Sequence, residues 1–316
     1  MVECNVCKKE FAEDKNLHLH IKAHKLSIGE YYQTQFPRYD RHTKELIKFK
    51  NKEQYFSSDF NNKRNLKSWL KEVSMEKAKR YCKGLLTKRK REKGIKYTPT
   101  EVELRTLLVP PIHYYQVIFG DYYKLCEEIG FENKLSYVQA SKIESLGLKE
   151  EFDEDHVIYV DSREQNPLQI KDFPTEVKGL KFGDYCLNDR KKTGNCYIER
   201  KSVPDLIGTL SSGLERFEKE IERAAEENAY LVILVERKLE ECLAFNKLPY
   251  VYKKNTRVTP DFIFHNVRGL LQKFPHIQFL FVNGRKECVR IVKKLLLTKI
   301  LRTKFDLQLA YDLNLL

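Results

Sequence analysis

The stretch GNCYIERKSVPDL, residues 194–206, decides the reading of this chain. Cys196, Tyr197 and Ile198 read as a buried strand, yet Glu199, Arg200 and Lys201 follow at once, and Asp205 comes just after. Side chains at i and i+2 of a strand share a face. Glu199 and Lys201 therefore project together, and Arg200 projects the other way. A carboxylate beside an ammonium suits a site where a hard cation and a water meet a phosphate. The carboxylate offers the oxygen ligand that magnesium requires. The lysine orients the attacking water and offsets charge developing on phosphorus. One carboxylate is too few, and others stand nearby in the sequence. Asp184 follows Gly183 on the preceding strand, and Asp161 and Glu164 lie in DSRE at the end of the apolar run VIYV, residues 157–160. Three strand ends are expected to bring Asp161, Glu164, Asp184, Glu199 and Lys201 together.

The segments around this stretch alternate in type from residue 156 onward. KGLKFGDYCLND (178–189) and NCYIERK (195–201) read as strands joined by a polar turn. LERFEKEIERAAEEN (214–228) reads as an amphipathic helix with Leu214, Phe217, Ile221 and Ala225 on one side. YLVILVE (230–236) is a strong buried strand, DFIFHNVRGLLQKF (261–274) a helix, IQFLFV (277–282) a strand and RKECVRIVKKLLLTKIL (285–301) a helix. This order predicts an α/β domain built on a central mixed sheet.

VDSRE, then GDY, then IERKSVPDL resembles the nuclease domain of the XPF family (ERCC4-type) of structure-specific DNA endonucleases. That family carries a GD pair, a variable gap, then ERK, three residues and Asp. Here those positions are Gly183-Asp184, Glu199-Arg200-Lys201 and Asp205. The resemblance covers about residues 155–301. It implies a restriction-endonuclease-like core, dependence on Mg2+ or Mn2+, and hydrolysis of phosphodiester bonds. By position it implies that Asp184 and Glu199 hold the magnesium, with Asp161 and Glu164 as further ligands, direct or through water. Lys201 would act on the nucleophilic water. Arg163 and Arg200 would hold phosphate or the acidic residues, and Asp205 would support them from a helix start. The resemblance also suggests a homodimer or heterodimer formed through the C-terminal helices. The apolar stripe Val289, Val292, Leu295, Leu296 and Ile300 suits that contact or the domain's own core. One departure stands out: tandem helix-hairpin-helix repeats often follow the nuclease in this family, and only RTKFDLQLAYDLNLL remains after residue 301.

The N-terminus carries a different signal. Cys4-x2-Cys7-x12-His20-x3-His24 has the spacing of a tetrahedral zinc site. His20 and His24 stand at i and i+4, on one helix face. A module of this size cannot bury a sufficient core, so metal binding supplies folding energy. Phe11 and Leu17 fall where a ββα zinc finger keeps its small apolar core, and Asp14, Lys15, Asn16 and His18 lie on the helix that such fingers present to DNA.

Between the finger and the α/β domain, residues 63–93 read as a basic helix ending in the run Lys88, Arg89, Lys90, Arg91. These cations are either phosphate contacts or a solvated face. Earlier aromatics, Tyr31, Tyr32, Phe36 and Tyr39, are suited to covering a small core. TPTEVELRTLLVPPIHYYQVIFGDYYKLCEEIGF (98–131) resembles the small helix-turn-helix repeat of some homing and phage endonucleases, with Tyr114, Tyr115 and Gln116 on its recognition element. A plain helical spacer is the other reading.

Composition bounds the partners. The 316 residues carry a formal net charge of +13, and residues 51–100 alone hold 15 Lys and Arg against 5 acids. Such an excess points to nucleic acid. No apolar run reaches the roughly 20 residues of a membrane span, no signal peptide opens the chain, and the eight cysteines are expected to be reduced. The expected location is the cytoplasm of a prokaryotic or phage-infected cell, or a nucleus in a eukaryote.

The sequence thus predicts a multidomain α/β protein. A ββα zinc finger occupies 1–26, a basic and mostly helical linker region 27–97, a helix-turn-helix-like repeat 98–135 and a linker 136–155. An XPF-type nuclease domain with a mixed β-sheet flanked by helices spans 156–305, and 306–316 is a tail. The predicted function is a metal-dependent DNA endonuclease with structural zinc and catalytic magnesium or manganese. The competing reading is a DNA-binding regulator with a noncatalytic nuclease fold. An RNA substrate fits the same motifs.

Overall fold

Strand β6, Thr193–Lys201, sits inside a six-stranded mixed sheet of order β4-β3-β5-β6-β7-β8. Its partners are β3 (Val157–Asp161), β4 (Thr175–Lys178), β5 (Tyr185–Asn188), β7 (Tyr230–Val235) and β8 (Ile277–Phe281). The β6–β7 and β7–β8 pairs are parallel, as is β3–β4, and β5 runs antiparallel to both of its neighbours. YLVILV is nearly all apolar because a central parallel strand is covered on both faces. The computed structural model describes residues 2–12, 14–37, 74–135, 155–188, 193–248, 258–298 and 305–316, with Leu46 and Val251. Tyr39, the helical segment expected before residue 74, most of the linker 136–155 and Ile300 lie outside the described residues.

Contacts divide the chain into two compact units, Met1–Ser74 with Leu239–Phe264, and Met75–Lys238 with His265–Leu316. In the first, a short hairpin of β1 (Val2–Glu3) and β2 (Glu10–Phe11) precedes α1 (Asp14–Ile21). A further helix, α2 (Ile28–Gln35), packs with α1, and its aromatics Tyr31, Tyr32 and Phe36 are buried. The Tyr31 hydroxyl accepts from Asn5 N at 3.0 Å, and the Tyr32 hydroxyl meets His18 Nε2 at 3.0 Å. The buried core begun by Leu17 and Ile21 therefore continues past residue 26.

The second unit joins the sheet to the helical middle of the chain. Helix α3 (Met75–Lys93) buries only the narrow stripe Ala78, Cys82 and Leu86. Helices α4 (Glu101–Thr106), α5 (Ile112–Phe119) and α6 (Tyr122–Ile129) follow with the expected Pro break and Gly turn. Thr100 and Glu103 form a reciprocal capping box at the start of α4. Glu101 is buried as well: its carboxyl accepts from Ile112 N at 2.8 Å, and burial pushes its pKa up to about 8. The helices α7 (Val203–Thr209), α8 (Leu214–Glu226), α9 (Pro260–Lys273) and α10 (Arg285–Leu297) accompany the sheet. On α8 the buried stripe is Phe217, Ile221 and Ala224, one residue off the expected Ala225.

Residues 98–135 share a compact unit with the sheet. Gln272 of α9 pairs with both backbone groups of Tyr97 at 3.1 Å and donates to Glu103 at 2.9 Å. Residues 306–316, expected as a tail, are largely helical. They form α11 (Leu307–Asp312), whose N-cap Asp306 accepts from Leu309 N at 3.0 Å and Glu101 N at 2.7 Å. Gln308 Oε1 accepts from Phe281 N at 2.9 Å, and Gln278 Oε1 from Leu307 N at 3.0 Å. These side-chain amides satisfy backbone groups where β8 would otherwise present an open edge. Val292, Leu295 and Leu296 are fully buried in one core with Ile158, Ile198, Leu234, Leu280 and Leu307, and Val289 packs against it. The stripe of α10 thus serves the chain's own core.

Leu307→Ala is expected to lower unfolding free energy by about 2–5 kcal/mol, the usual cost of a cavity at a buried leucine. Leu313→Ala, at a side chain 38% exposed, is expected to stay within about 0.5 kcal/mol. Denaturant titration of the two variants checks whether α11 belongs to the core.

Candidate active site

The GD pair is built on a close backbone approach. Gly183 has φ +57, and a Cβ there would lie 3.0 Å from the Ile198 carbonyl oxygen. Only glycine combines that conformation with that contact. Asp184 N then donates to Ile198 O at 2.8 Å, and Asp184 Oδ2 accepts from Arg200 N at 2.7 Å. The carboxyl of Asp184 is thereby fixed against the end of β6, beside Glu199. Burial raises its pKa to about 7, and the Glu199 charge adds to the rise.

The alternation along β6 holds. Lys201 Nζ bonds Glu199 Oε1 at 2.7 Å, so the two share a face. The ammonium also lies 5.5 Å from the centroid of Phe217 on α8. Glu220, on the same helix, has its pKa raised by burial and then by the Glu199 charge. It is a further acidic group of this face that the motif-based reading missed. Its signal was the polar side of the amphipathic helix, which looks like any solvated face.

Arg200 points the other way into an ion network. Its Nη2 bonds both carboxylate oxygens of Glu164 at 3.0 Å, and its Nη1 bonds Glu236 at 2.6 Å. Burial works to lower the Arg200 pKa, but the charges of Glu236 and Glu164 outweigh it and raise it. Arg285 extends the network to Glu236 at 3.2 Å and to the carbonyls of Asn166 and Pro167 at 2.6 and 2.8 Å. Glu236 and Arg285 were absent from the motif-based site because neither belongs to a recurrent spacing.

Asp161 is buried, and its oxygens accept from Arg163 N and Nε at 2.8 and 2.7 Å, from Arg163 Nη2 at 3.0 Å and from Leu180 N at 2.7 Å. Burial pushes its pKa upward, but these hydrogen bonds prevail and hold it below the usual carboxylate range. The expected convergence is therefore partial. The structure brings Asp184, Glu199 and Lys201 together, while Asp161 turns to Arg163 and Glu164 to Arg200. The Arg163 side chain stays 72% exposed beyond its bonds to Asp161. Asp205 lies in the first turn of α7, where Ser202 caps the helix by accepting from Asp205 N.

Among the described residues, one group of three or more His, Cys or acidic side chains has converging donor atoms: Cys4, Cys7, His20 and His24, all within 4.8 Å of one another. Cys7 Sγ meets His20 Nε2 at 3.1 Å, and Cys4 Sγ meets His24 Nε2 at 3.4 Å. The Phe11 ring covers His20 at 4.7 Å.

The expected DNA contacts are placed unevenly. Lys15 is exposed on α1. Tyr114 and Tyr115 are buried, so they form the core of the helical segment and offer no reading surface. Gln116 is partly buried, with its Nε2 enclosed. Of the basic run, Lys88 and Arg91 are exposed, Lys90 bonds the Gly130 carbonyl and lies 4.8 Å from the Phe131 ring, and the Arg89 Nε is buried. No helix among the described residues is long and apolar enough to cross a membrane.

Comparison with known proteins bears on the same segment. Residues 160–295 match the ERCC4 domain family model. The structure is similar to XPF from Aeropyrum pernix, with 22% identity, a TM-score of 0.32, and coverage of 44% of this chain and 64% of that one. It is similarly related to the complex of Aeropyrum pernix XPF with DNA, at 22% identity and TM-score 0.32, covering 46% of this chain and 64% of that one. No curated protein matches the chain. The family match spans less than half of the 316 residues, and the chain covers 64% of the length of each of these two structures, less than two thirds.

Proposed function

We propose that this chain is a divalent-metal-dependent DNA endonuclease whose reaction centre is Asp184, Glu199 and Lys201. One observation carries the reading: the partly buried Asp184 carboxyl is held at the end of β6 by Arg200 N at 2.7 Å, and Glu199, next to Arg200, takes the Lys201 ammonium at 2.7 Å. Repulsion that raises a carboxyl pKa is relieved by a dication. The donors are carboxylate oxygens, which suit Mg2+ or Mn2+. Asp184 and Glu199 would hold it. Bound there, the ion supplies charge neutralisation and Lewis acidity toward a phosphate oxygen.

The remaining residues have separable tasks. Lys201, held by Glu199 and Phe217, places its N–H groups to orient a water and to offset charge on the phosphoryl oxygens. Arg163 is fixed by Asp161 at its inner edge and presents its outer edge to a phosphate of the bound strand. Arg200, gripping Glu164 and Glu236 behind the sheet, keeps the end of β6 in register. Asp205 steadies the start of α7 next to Lys201. Asp161 and Glu164 act in this reading as positioning residues, because their oxygens are already engaged.

The Cys4, Cys7, His20 and His24 cluster fits zinc. Sulfur and imidazole nitrogen are its preferred donors, and the short separations match four ligands around one ion of tetrahedral geometry. This module and its exposed Lys15 support delivery of the nuclease to DNA.

Cleavage tests the centre directly. Labelled duplex, single-stranded, flap and splayed-arm DNAs are mixed with the protein and magnesium or manganese. Asp184→Asn and Glu199→Gln are each expected to lower the cleavage rate at least about 100-fold while DNA binding persists. Tight binding with no metal-dependent cutting of any DNA would move the assignment to a noncatalytic regulator.

The burial of Asp184, with the Glu199 charge adding to it, predicts a pH signature in metal-free protein. The folded Asp184 pKa, about 7, stands above the ordinary 3.8. The folded state therefore holds the proton more tightly, and this group's contribution to stability falls as pH rises from 3.8 toward about 7. Asp184→Asn escapes the loss, so its stability gain over the native chain is expected to grow across that window and then level off. Added magnesium is expected to shrink the gain. A gain that is flat with pH would refute the enclosed carboxyl of Asp184.

Elemental analysis is expected to find one zinc per chain. Cys7→Ser is expected to lose it and to make residues 2–36 sensitive to protease.

A further inference from the structure

We propose that the outward face of α3 is a phosphate-backbone track for a DNA strand, separate from the ERCC4 domain. The inference rests on the chain being a DNA-acting enzyme and names a second surface that such an enzyme would use. A groove of about 720 Å³ runs along this helix, lined by Lys79, Arg80, Lys83, Lys88 and Arg91, with Phe119 at its side.

A solvated helix face ordinarily mixes both signs, because like charges at i and i+3 or i+4 destabilise a helix. Here MEKAKRYCKGLLTKRKREK holds nine Lys and Arg against two Glu. The two acids, Glu76 and Glu92, lie in the same groove and meet Lys79 at 3.8 Å, Lys88 at 4.0 Å and Arg91 at 3.7 Å. Those pairs are long and exposed, so they are weak and a phosphate can displace them. Arg80 and Lys83 are exposed and have no carboxylate partner among the described residues. A polyanion would remove the repulsion that the helix carries alone.

The spacing suits a strand. Arg80 to Arg91 spans about 16 Å of helix, roughly five steps of one DNA strand at 3.4 Å each. Gly84 keeps the middle of the track open, since a Cβ there would meet nothing within 4 Å. The inward turn of Arg89 and Lys90 separates structural cations from binding ones. The track therefore begins about two turns earlier than the contiguous basic run would indicate.

Fluorescence anisotropy tests the proposal. The full chain carries Asp184→Asn, so that bound DNA is not cut, and no divalent metal is added. Duplex and single-stranded DNA of one sequence are titrated at several salt concentrations. Replacing Arg80, Lys83 and Arg91 by Gln is expected to weaken binding of one of these forms. The slope of log affinity against log salt becomes shallower by about 2.7 on duplex or about 2.1 on single-stranded DNA, the loss of three phosphate contacts. A control replaces Lys171, Lys286 and Arg290 by Gln, removing equal charge elsewhere; circular dichroism confirms that α3 stays helical. Equal slopes for the two triple variants on both DNA forms would overturn the track and leave only general charge attraction. The nuclease reading fails separately, if the native chain cuts nothing while the groove-dependent slope remains.

Discussion

The carboxyl of Asp184, partly buried just ahead of β5 and tied to the end of β6, is the constraint around which the candidate site is arranged. Gly183, at φ +57, lets the start of β5 approach Ile198 more closely than most Cβ atoms tolerate, and Asp184 follows it beside the end of β6, which carries Glu199. The result is a site that stores electrostatic cost. A folded chain carries such a cost only where the scaffold over-determines the geometry, and here it does. Asp184 is pinned through its backbone to Ile198 and through its side chain to Arg200 N. Lys201 compensates one of the two charges and leaves the other, which is the residual that a hard dication would neutralise.

The scaffold behind this pair is itself ionic. Arg200 alternates with Glu199 and Lys201 along β6 and so faces the opposite side, where Glu164, Glu236 and Arg285 surround it. Arg200 and Glu164 have side chains only 10% and 8% exposed. Removing one partner of such a buried pair strands the other charge, which typically costs more than the pair itself contributes. One tripeptide thus serves two functions on two faces. Glu199 and Lys201 share one face, and Arg200, on the other, ties down the strand end that presents them. That answers why an apolar strand runs straight into glutamate, arginine and lysine: the sheet's period of two sorts them.

Much of this was legible beforehand, for a physical reason. Strand alternation is strict, so the shared face of Glu199 and Lys201 follows from their spacing, as does the opposed Arg200. The cysteine and histidine spacing is equally binding, because four donors must reach one point. What stayed hidden depends on tertiary contact. Tyr114 and Tyr115 look like a recognition surface in a polar, tyrosine-rich segment, yet both are buried. Nothing local tells a core tyrosine from a reading one. Asp161 matches a ligand position, but the fold spends both of its oxygens on Arg163 and Leu180. Helix α11 escaped notice because RTKFDLQLAYDLNLL is short, and its role comes from Gln278 of β8 accepting from Leu307 N and its own Gln308 accepting from Phe281 N of β8. Glu220 and Glu236 belong to no recurrent spacing, and only the folded sheet and α8 bring them near the motif.

The charge distribution separates reaction from grip. Around the strand end stand Asp161, Glu164, Asp184, Glu199, Glu220 and Glu236, answered by Arg163, Arg200, Lys201 and Arg285. Acids outnumber bases there, and most of the bases are already paired. Such a surface does not attract a polyanion by itself, and a bound dication would offset the imbalance without producing a broad positive field. Residues 151–316 as a whole hold 28 Lys and Arg against 25 acids, close to balance, whereas residues 51–100 hold 15 against 5. Long-range attraction to a phosphate backbone is set by that excess. Because α3 belongs to the same compact unit as the sheet, a strand held along it is held by the body that carries Asp184 and Glu199. In that arrangement the grip on phosphate comes from the basic helix, and the carboxylates at the strand end need not attract it.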